Sequence, residues 1–408
     1  MEVESCRFCG GVLHQFLDLG VSPLCESYLA ASQLRAPETF YPLAASVCRD
    51  CLLVQLPEHA SPTEIFSEYA YFSGFSDSWL EHARQYADAM TSRLELGASS
   101  QVLELGSNDG YLLQYFVKKA IPVLGIDPAA NVAKAAEARG VRTLVSFFGA
   151  EVARDLAERG EQADLIVGNN VLAQVPDLNS FVEGIRILLK PTGIATLEFP
   201  HVLKTLDGNQ FDQFYHEHFS YFSAMAVEKI LDAHGLRLFD VDRLPTHGGS
   251  LRIYACHRDA EAATRSSVGE LLAAERDYGL HRLDTYDAFA EKVRRTKRNL
   301  LTFLIGARAA GKSVAGYGAP GKGNTLLNYA GIRTDFLDYT VDRNPYKHGK
   351  FLPGTHIPIY PVEKIADTKP DYILILPWNL ETEIAAQLAY IRDWGGQLVV
   401  PIPELAVY

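Results

Sequence analysis

Two kinds of chemistry are written into the residue types and spacings of this 408-residue chain. Cys6-Arg7-Phe8-Cys9-Gly10 and Cys48-Arg49-Asp50-Cys51 are both CxxC pairs, well separated in the sequence. Two such knuckles can bring four thiolates to one tetrahedral centre, and zinc is the default ion for a four-sulfur set. Four protein ligands leave no position open to water, so a structural Zn2+ is expected, supplying folding energy that a short segment cannot bury for itself. Two redox pairs, or unrelated buried thiols, are the alternative. Cys25 stands alone and reads as a small buried thiol without a role. The second kind of chemistry lies in Phe214-Tyr215-His216-Glu217-His218-Phe219-Ser220-Tyr221-Phe222. Imidazole titrates near neutrality and a carboxylate can orient it, so this run reads as an acid–base set, or else as a satisfied structural cluster. His216 and His218 are two apart and lack HExxH spacing, which disfavours a second metal.

The elements that must carry such residues begin with an amphipathic helix around 78–95, after which strands and helices alternate. Val102–Leu105 is an apolar strand entering Gly106-Ser107-Asn108-Asp109-Gly110, and a helix follows. Pro122–Ile126 is a second strand, ending in Asp127, the acid a nucleoside ribose requires for its two hydroxyls. Thr143–Phe148 lies where an adenine ring would find apolar walls, Phe148 among them. Ala163–Val167 ends at Gly168-Asn169-Asn170, and a helix leads through Lys190-Pro191-Thr192-Gly193 to a fifth strand, Ile194–Glu198. This order resembles the class I methyltransferases. The resemblance implies S-adenosylmethionine as cofactor, bound by Glu104, Gly106, Ser107, Asn108, Gly110, Asp127, Phe148, Asn169 and Asn170. Asn108 stands where a second glycine often sits, so the backbone's approach to the cofactor is expected to differ in detail.

The carboxy-terminal third opens with a long amphipathic helix from about 284 to Gly311, whose basic residues read as a solvated face. A strand at Ser313–Ala315 then runs into Gly316-Tyr317-Gly318-Ala319-Pro320-Gly321, which matches GxGxxG, with Asp342 following. This dinucleotide fingerprint motivates a rival reading as a dinucleotide-dependent oxidoreductase. Lys322 and Asn324 at the start of the next helix suit a diphosphate. Arg252, in His247-Gly-Gly-Ser-Leu-Arg252, is a further candidate for a phosphate. Strands at 372–376 and 397–400 complete a small parallel sheet. The expected fold is α/β, a class I methyltransferase Rossmann-like core with a small amino-terminal zinc-binding domain and a carboxy-terminal Rossmann-like domain. The boundaries fall at 1–65, 66–262 and 263–408; the last domain is expected either to help seat the nucleotide sugar across a cleft from the methyl donor or to buttress the core with no ligand at its loop.

A net charge of −12 offers nothing to a phosphate polymer or an anionic membrane, so no nucleic-acid partner is expected. No apolar run approaches the roughly 20 residues that span a bilayer, and the start of the chain has no apolar signal core. A cytoplasmic location is the resulting expectation; a monomer is favoured, although these observations do not bear on oligomeric state.

Taken together, the two CxxC pairs, Gly106–Gly110, Tyr215-His-Glu-His218-Phe-Ser-Tyr-Phe222, His247-Gly-Gly-Ser-Leu-Arg252 and Gly316–Thr325 resemble the nucleotide-sugar C-3 methyltransferases of deoxysugar biosynthesis. That resemblance implies methylation of carbon 3 of a 4-keto sugar on a nucleoside diphosphate, commonly dTDP. It implies His218 as the base that takes the carbon-3 proton, with Glu217 beside it, Tyr215 near the keto oxygen, and Tyr71 closing over the pocket. Where the family pattern has a pocket histidine, this chain has Gln174, which can donate a hydrogen bond but cannot shuttle a proton at neutral pH. Methylation of a sugar hydroxyl is the alternative within the same class.

Overall fold

The computed structural model describes residues 5–66, 73–75 and 77–408, and Tyr71 lies outside the described residues. The chain builds two compact units. The first comprises the residues up to Leu13 together with Cys48–Val202 and Phe219–His281, and the second His14–Val47, Leu203–His218 and Arg282–Tyr408.

The first unit is organised by a seven-stranded sheet. Its strands are β1 (Val102–Leu105), β2 (Val123–Asp127), β3 (Thr143–Val145), β4 (Ala163–Asn169), β5 (Leu189–Pro200), β6 (Leu236–Leu244) and β7 (Ser250–His257), in the order β6-β7-β5-β4-β1-β2-β3. Strands β5 to β3 along that order are parallel, while β7 runs antiparallel to both β5 and β6. Buried on both faces, the parallel strands alternate between two cores. Leu103, Leu105 and Ile166 join Phe181, Ile185 and Leu188 of helix α2 (Leu178–Leu188) on one side. On the other, Val102, Leu165 and Val167 join Tyr86 and Met90 of helix α1 (Asp77–Arg93). The fifth strand, expected to start at Ile194, already begins at Leu189. Ala163 pairs with Leu189 and Leu165 with Ile194, so the turn-forming residues are taken up as an irregularity inside one long β5.

Helix α3 (Ser266–Tyr278) contributes the fully buried Glu275 to this unit, where it accepts from His201 Nε2 at 2.8 Å and from the Ala224 and Met225 amides.

In the second unit the strands Leu13–Ser22 and Tyr41–Cys48 lie side by side. Helix α4 (Leu283–Ala309) buries Tyr286, Phe289, Val293, Leu300 and Leu304, as its 3.6-residue period requires, and leaves Arg294, Arg295 and Arg298 in solvent. Phe16, Phe214, Tyr286 and Phe289 form one aromatic cluster, with Phe16 5.2 Å from Tyr286. The sheet comprises β8 (Val314–Tyr317), β9 (Thr340–Val341), β10 (Ile359–Tyr360), β11 (Tyr372–Ile375), β12 (Gln397–Val400) and β13 (Ala406–Val407), in the order β10-β9-β8-β11-β12-β13. Only β13 is antiparallel. Helix α5 (Gly321–Ala330) follows β8 directly, as the fingerprint predicts. Among the described residues no helix is long and apolar enough to cross a membrane.

Candidate active site and metal centre

The thiols of Cys6, Cys9, Cys48 and Cys51 lie within 4.8 Å of one another. Cys6 and Cys51, and Cys9 and Cys48, approach to 3.5 Å. Zinc–sulfur bonds of about 2.3 Å in a tetrahedron require sulfurs roughly 3.8 Å apart, so the four side chains fit the ion as they stand. The knuckles are tight turns, with the Gly10 amide donating to the Cys6 carbonyl at 2.9 Å and Leu52 to Cys48 at 3.1 Å. Two donors address the sulfurs themselves: the Asp50 amide reaches Cys48 Sγ at 3.4 Å and Gln55 Nε2 reaches Cys6 Sγ at 3.2 Å. Such donors steady thiolate ligands. The centre is not peripheral to the fold, because Cys6, Cys48, Cys51 and Leu53 belong to the same core as α2. Asn179, in the first turn of α2, donates to the Phe8 carbonyl at 3.0 Å.

The glycine turn follows β1. Gly106 has φ +69, and a Cβ there would sit 3.1 Å from Val171. Asn108 takes the left-handed conformation (φ 47) that a glycine would otherwise supply, which asparagine adopts more readily than most residues. Its amide donates to Asp127 Oδ2 at 2.8 Å, and its side-chain oxygen accepts from the Ser73 amide at 2.9 Å. The Ala129 amide holds Asp127 Oδ1 at 2.9 Å. Each oxygen of Asp127 thus keeps a lone pair for a ribose hydroxyl, while burial lifts the carboxyl above its usual range. Ser107 Oγ, Asn169 Oδ1 and Asn170 Oδ1 are buried without a hydrogen-bond partner among the described residues. Buried polar atoms of this kind call for a ligand, and S-adenosylmethionine brings an ammonium, an amine and two hydroxyls. Glu104 is fully buried in β1, and desolvation followed by the charge of Asp127 pushes its carboxyl well above the carboxylate range. Phe148 packs edge-on against Phe181 at 5.3 Å and over the bare face of Gly184. The aromatic left exposed beyond β3 is its neighbour Phe147, beside Val145.

Arg252, expected at a phosphate, is instead a core residue. It lies opposite Glu198 in the β5–β7 ladder, donates to its Oε2 at 2.7 Å, and stacks over Tyr86 at 4.5 Å. Glu198 also meets His82 Nε2 at 3.0 Å and accepts from Thr246 Oγ1 at 3.0 Å. Burial raises this carboxyl, but His82 and Arg252 outweigh it and hold it below the usual range. Trp79 stacks on His82 at 4.9 Å and meets His247 edge-on at 5.7 Å. His247 is left-handed (φ 53), with Nε2 3.3 Å from Asn170 Nδ2. Sequence reasoning passed over Trp79, His82, Glu198 and His247, although a histidine before two glycines was a signal for an unusual backbone. Removing one partner of a buried ion pair leaves a stranded charge. Arg252→Met is therefore expected to cost about 3 kcal/mol in denaturant unfolding, and the double variant with Glu198→Gln less than the single one.

The remaining acid–base residues lie in the second unit. Tyr215 Oη is 3.2 Å from His218 Nε2, with ring centroids 4.3 Å apart, across a turn closed by the His218 amide on the Tyr215 carbonyl. With the hydroxyl donating, Nε2 is the basic nitrogen and Nδ1 carries the ring proton. His216 turns to the Pro42 carbonyl at 3.0 Å and packs on Tyr41. Glu217, expected to orient an imidazole as a carboxylate, instead meets the Cys25 thiol at 3.4 Å. Burial, reinforced by Glu26, pushes its carboxyl up to about 8, so it is largely neutral at pH 7. Gln174 lies in the first unit, in a single turn of 3-10 helix over Leu172–Gln174.

The GxGxxG loop closes on its own chain. The Ala319 amide donates to Asp342 Oδ2 at 2.7 Å, and its carbonyl accepts from Tyr28 at 2.6 Å and Lys347 at 2.8 Å. A Cβ on Gly318 would lie 2.5 Å from Pro377, and one on Gly321 2.8 Å from Cys25 Sγ, so protein packing accounts for both glycines. Asn324, expected at a diphosphate, is buried and donates to the Cys25 carbonyl at 2.6 Å. Lys322 donates to Asn379 at 2.7 Å over the face of Trp378. Trp378 Nε1 in turn reaches the buried Asp212 at 2.8 Å.

Comparison with known proteins covers the chain almost end to end. A zinc binding domain matches residues 6–66, a methyltransferase domain 79–241, and a C-methyltransferase C-terminal domain 245–403. The chain is 37% identical over 405 residues to C-methyltransferase NovU of Streptomyces niveus, covering 98% of this chain and 96% of that one. A ubiquinone biosynthesis O-methyltransferase of Bartonella bacilliformis is 31% identical over 104 residues, 24% of this chain and 42% of the relative. Among solved structures, 1,6-didemethyltoxoflavin-N1-methyltransferase of Burkholderia thailandensis aligns with 53% of this chain and 96% of its own, at 20% identity and a TM-score of 0.35, too low to carry weight.

Proposed function

We propose an acceptor for this chain, which belongs to the C-methyltransferase family and is an S-adenosylmethionine-dependent, zinc-containing enzyme: carbon 3 of a 4-keto deoxysugar carried on a nucleoside diphosphate, dTDP being the first candidate. The observation that carries the reading is the Tyr215–His218 pair, a phenol against a basic imidazole nitrogen in a largely buried turn. A proton beside a carbonyl is acidic enough for a neutral imidazole only where donors meet the developing enolate oxygen, a contribution of several kcal/mol. In this reading His218 Nε2 takes the carbon-3 proton, the C–H electron pair moves into the enolate, and the Tyr215 hydroxyl turns from Nε2 to the enolate oxygen. When bound, S-adenosylmethionine would supply an electrophilic methyl group for the enolate carbon, its S–CH3 bond breaking and S-adenosylhomocysteine leaving. Burial and the charge of Glu26 raise the Glu217 carboxyl, which suits it to hold and donate a proton in this set. Tyr71 and Gln174 are assigned to the sugar pocket. Lys322 is the remaining candidate for a phosphate, which would have to displace Asn379.

On the donor side, Asp127 holds the ribose, with the Gly106–Gly110 turn, Asn169 and Asn170 around the methionine moiety and Phe148 on the adenine side. Cys6, Cys9, Cys48 and Cys51 hold a structural zinc ion. The chain is organised as a zinc-binding segment over 1–65, a methyltransferase part over 66–262 and a carboxy-terminal part over 263–408. Asp127→Ala is expected to weaken S-adenosylmethionine about 10- to 100-fold in calorimetric titration, since it removes two charge-assisted hydrogen bonds. The function itself is tested with a dTDP-4-keto sugar in heavy water, without the methyl donor. Deuterium at carbon 3 supports the reading. A methylated hydroxyl, found by fragmenting the product made with the donor present, would replace it with sugar O-methylation.

A further inference from the structure

Residues 22–28 follow the first strand of the second unit and are clamped at several points. Asn324 Nδ2 holds the Cys25 carbonyl at 2.6 Å, Tyr28 Oη holds the Ala319 carbonyl at 2.6 Å, and Pro23 lies against Gly354. Cys25 is buried, and its thiol is wedged against the first residue of α5, where only a glycine leaves room for it. Its polar side-chain contact is Glu217 Oε1, at 3.4 Å. A thiol has one weak proton to donate, whereas a carboxyl group has two oxygens that compete for its own proton. A donor fixed on Oε1 therefore decides that the exchangeable proton sits on Oε2. The clamped backbone and the missing Cβ at Gly321 leave the thiol little freedom to move away.

We propose that Cys25 is a positioning residue for Glu217, its S–H capping Oε1 and so leaving Oε2 as the oxygen that exchanges a proton. The charged groups around this carboxyl are Glu26 on the Cys25 segment and Lys347, whose ammonium lies 4.0 Å from Glu26. Tyr215, His216 and His218 are the titratable groups on its own segment. Burial and the charge of Glu26 favour the neutral acid, while the thiol, Lys347 and the backbone amide of Glu26 favour the anion. Loss of the thiol therefore raises the pH at which Glu217 ionises. The proposal rests on the reading of residues 215–218 as a proton-moving set, but its readout does not.

The test is infrared difference spectroscopy of the full-length protein across a pH titration. The carboxylic acid band of Glu217 is identified by its loss in Glu217→Gln. In the unaltered protein the band is expected to disappear with a midpoint of about 8. Cys25→Ala should raise the midpoint by about one pH unit, the worth of one hydrogen bond to a charged group. Cys25→Ser, which keeps a donor of nearly the same size, should titrate at or below the wild-type midpoint. The same ordering should appear in the pH profile of carbon-3 exchange. A midpoint in Cys25→Ala equal to wild type overturns the proposal. Should the alanine variant fail to fold, a serine variant that titrates above wild type overturns it equally. Absence of carbon-3 exchange in the wild-type protein would instead remove the functional reading and leave the infrared result standing.

Discussion

His218→Asn is expected to lower both methyl transfer and carbon-3 deuterium exchange by about 10³-fold, within the range a positioned general base contributes. Asparagine is close in size and retains polar atoms for Tyr215, so the turn over residues 215–218 should persist. What disappears is a basic ring nitrogen. The comparison that makes the result specific is affinity for the methyl donor, which should stay within about twofold of wild type by calorimetric titration. The buried acceptors around the Gly106–Gly110 turn belong to the first unit and are untouched by the change. A fall in exchange with donor binding intact identifies His218 as the base. Exchange at the wild-type rate would show that the proton leaves by another route.

Withdrawal of zinc is expected to have the largest effect on stability. Structural zinc contributes apparent binding free energies of about 10–16 kcal/mol in zinc-finger peptides, and this becomes folding free energy wherever the thiolates do not come together without it. Cys51→Ser should abolish zinc in elemental analysis of the purified protein and cost on the order of 5 kcal/mol or more in chemical unfolding. Because Cys6, Cys48 and Cys51 share a core with Phe181 and Ile185 of α2, loss of the ion should loosen the methyltransferase unit as well. Hydrogen exchange along α2 reads this directly. Protection of α2 that is unchanged after chelation would show the metal centre to be energetically separate.

The parts of this architecture legible in sequence were those set by local rules. The strand–turn–helix at Val102–Gly110, the acid closing β2 and the paired knuckles follow from periodicity, glycine and cysteine spacing. The long β5 was misread at its start because Lys190-Pro191-Thr192-Gly193 has turn chemistry, and only the pairing of Leu189 with Ala163 shows the chain continuing through it. Arg252 and Asn324 carry side chains suited to phosphate, yet each is spent on a partner distant in sequence, Glu198 and the Cys25 carbonyl. Local pattern holds no record of such pairings. The same holds for the GxGxxG loop. Its glycines match a nucleotide fingerprint, but the close approach they permit at Gly318 and Gly321 is made by Pro377 and Cys25. Glu217 reads in sequence as an anion poised to steer a histidine, and burial beside Glu26 raises its carboxyl toward the protonated form.

The chain passes between its two compact units at residues 13–14, 47–48, 202–203, 218–219 and 281–282. No single cut can therefore release either unit as one continuous polypeptide. Recombination among relatives at one crossover point would pair strands and knuckles from one parent with the helix and loops of another. Exchange of the second unit between such enzymes would require its three segments to be transplanted together. A natural chimaera should accordingly carry its breakpoints in matched sets.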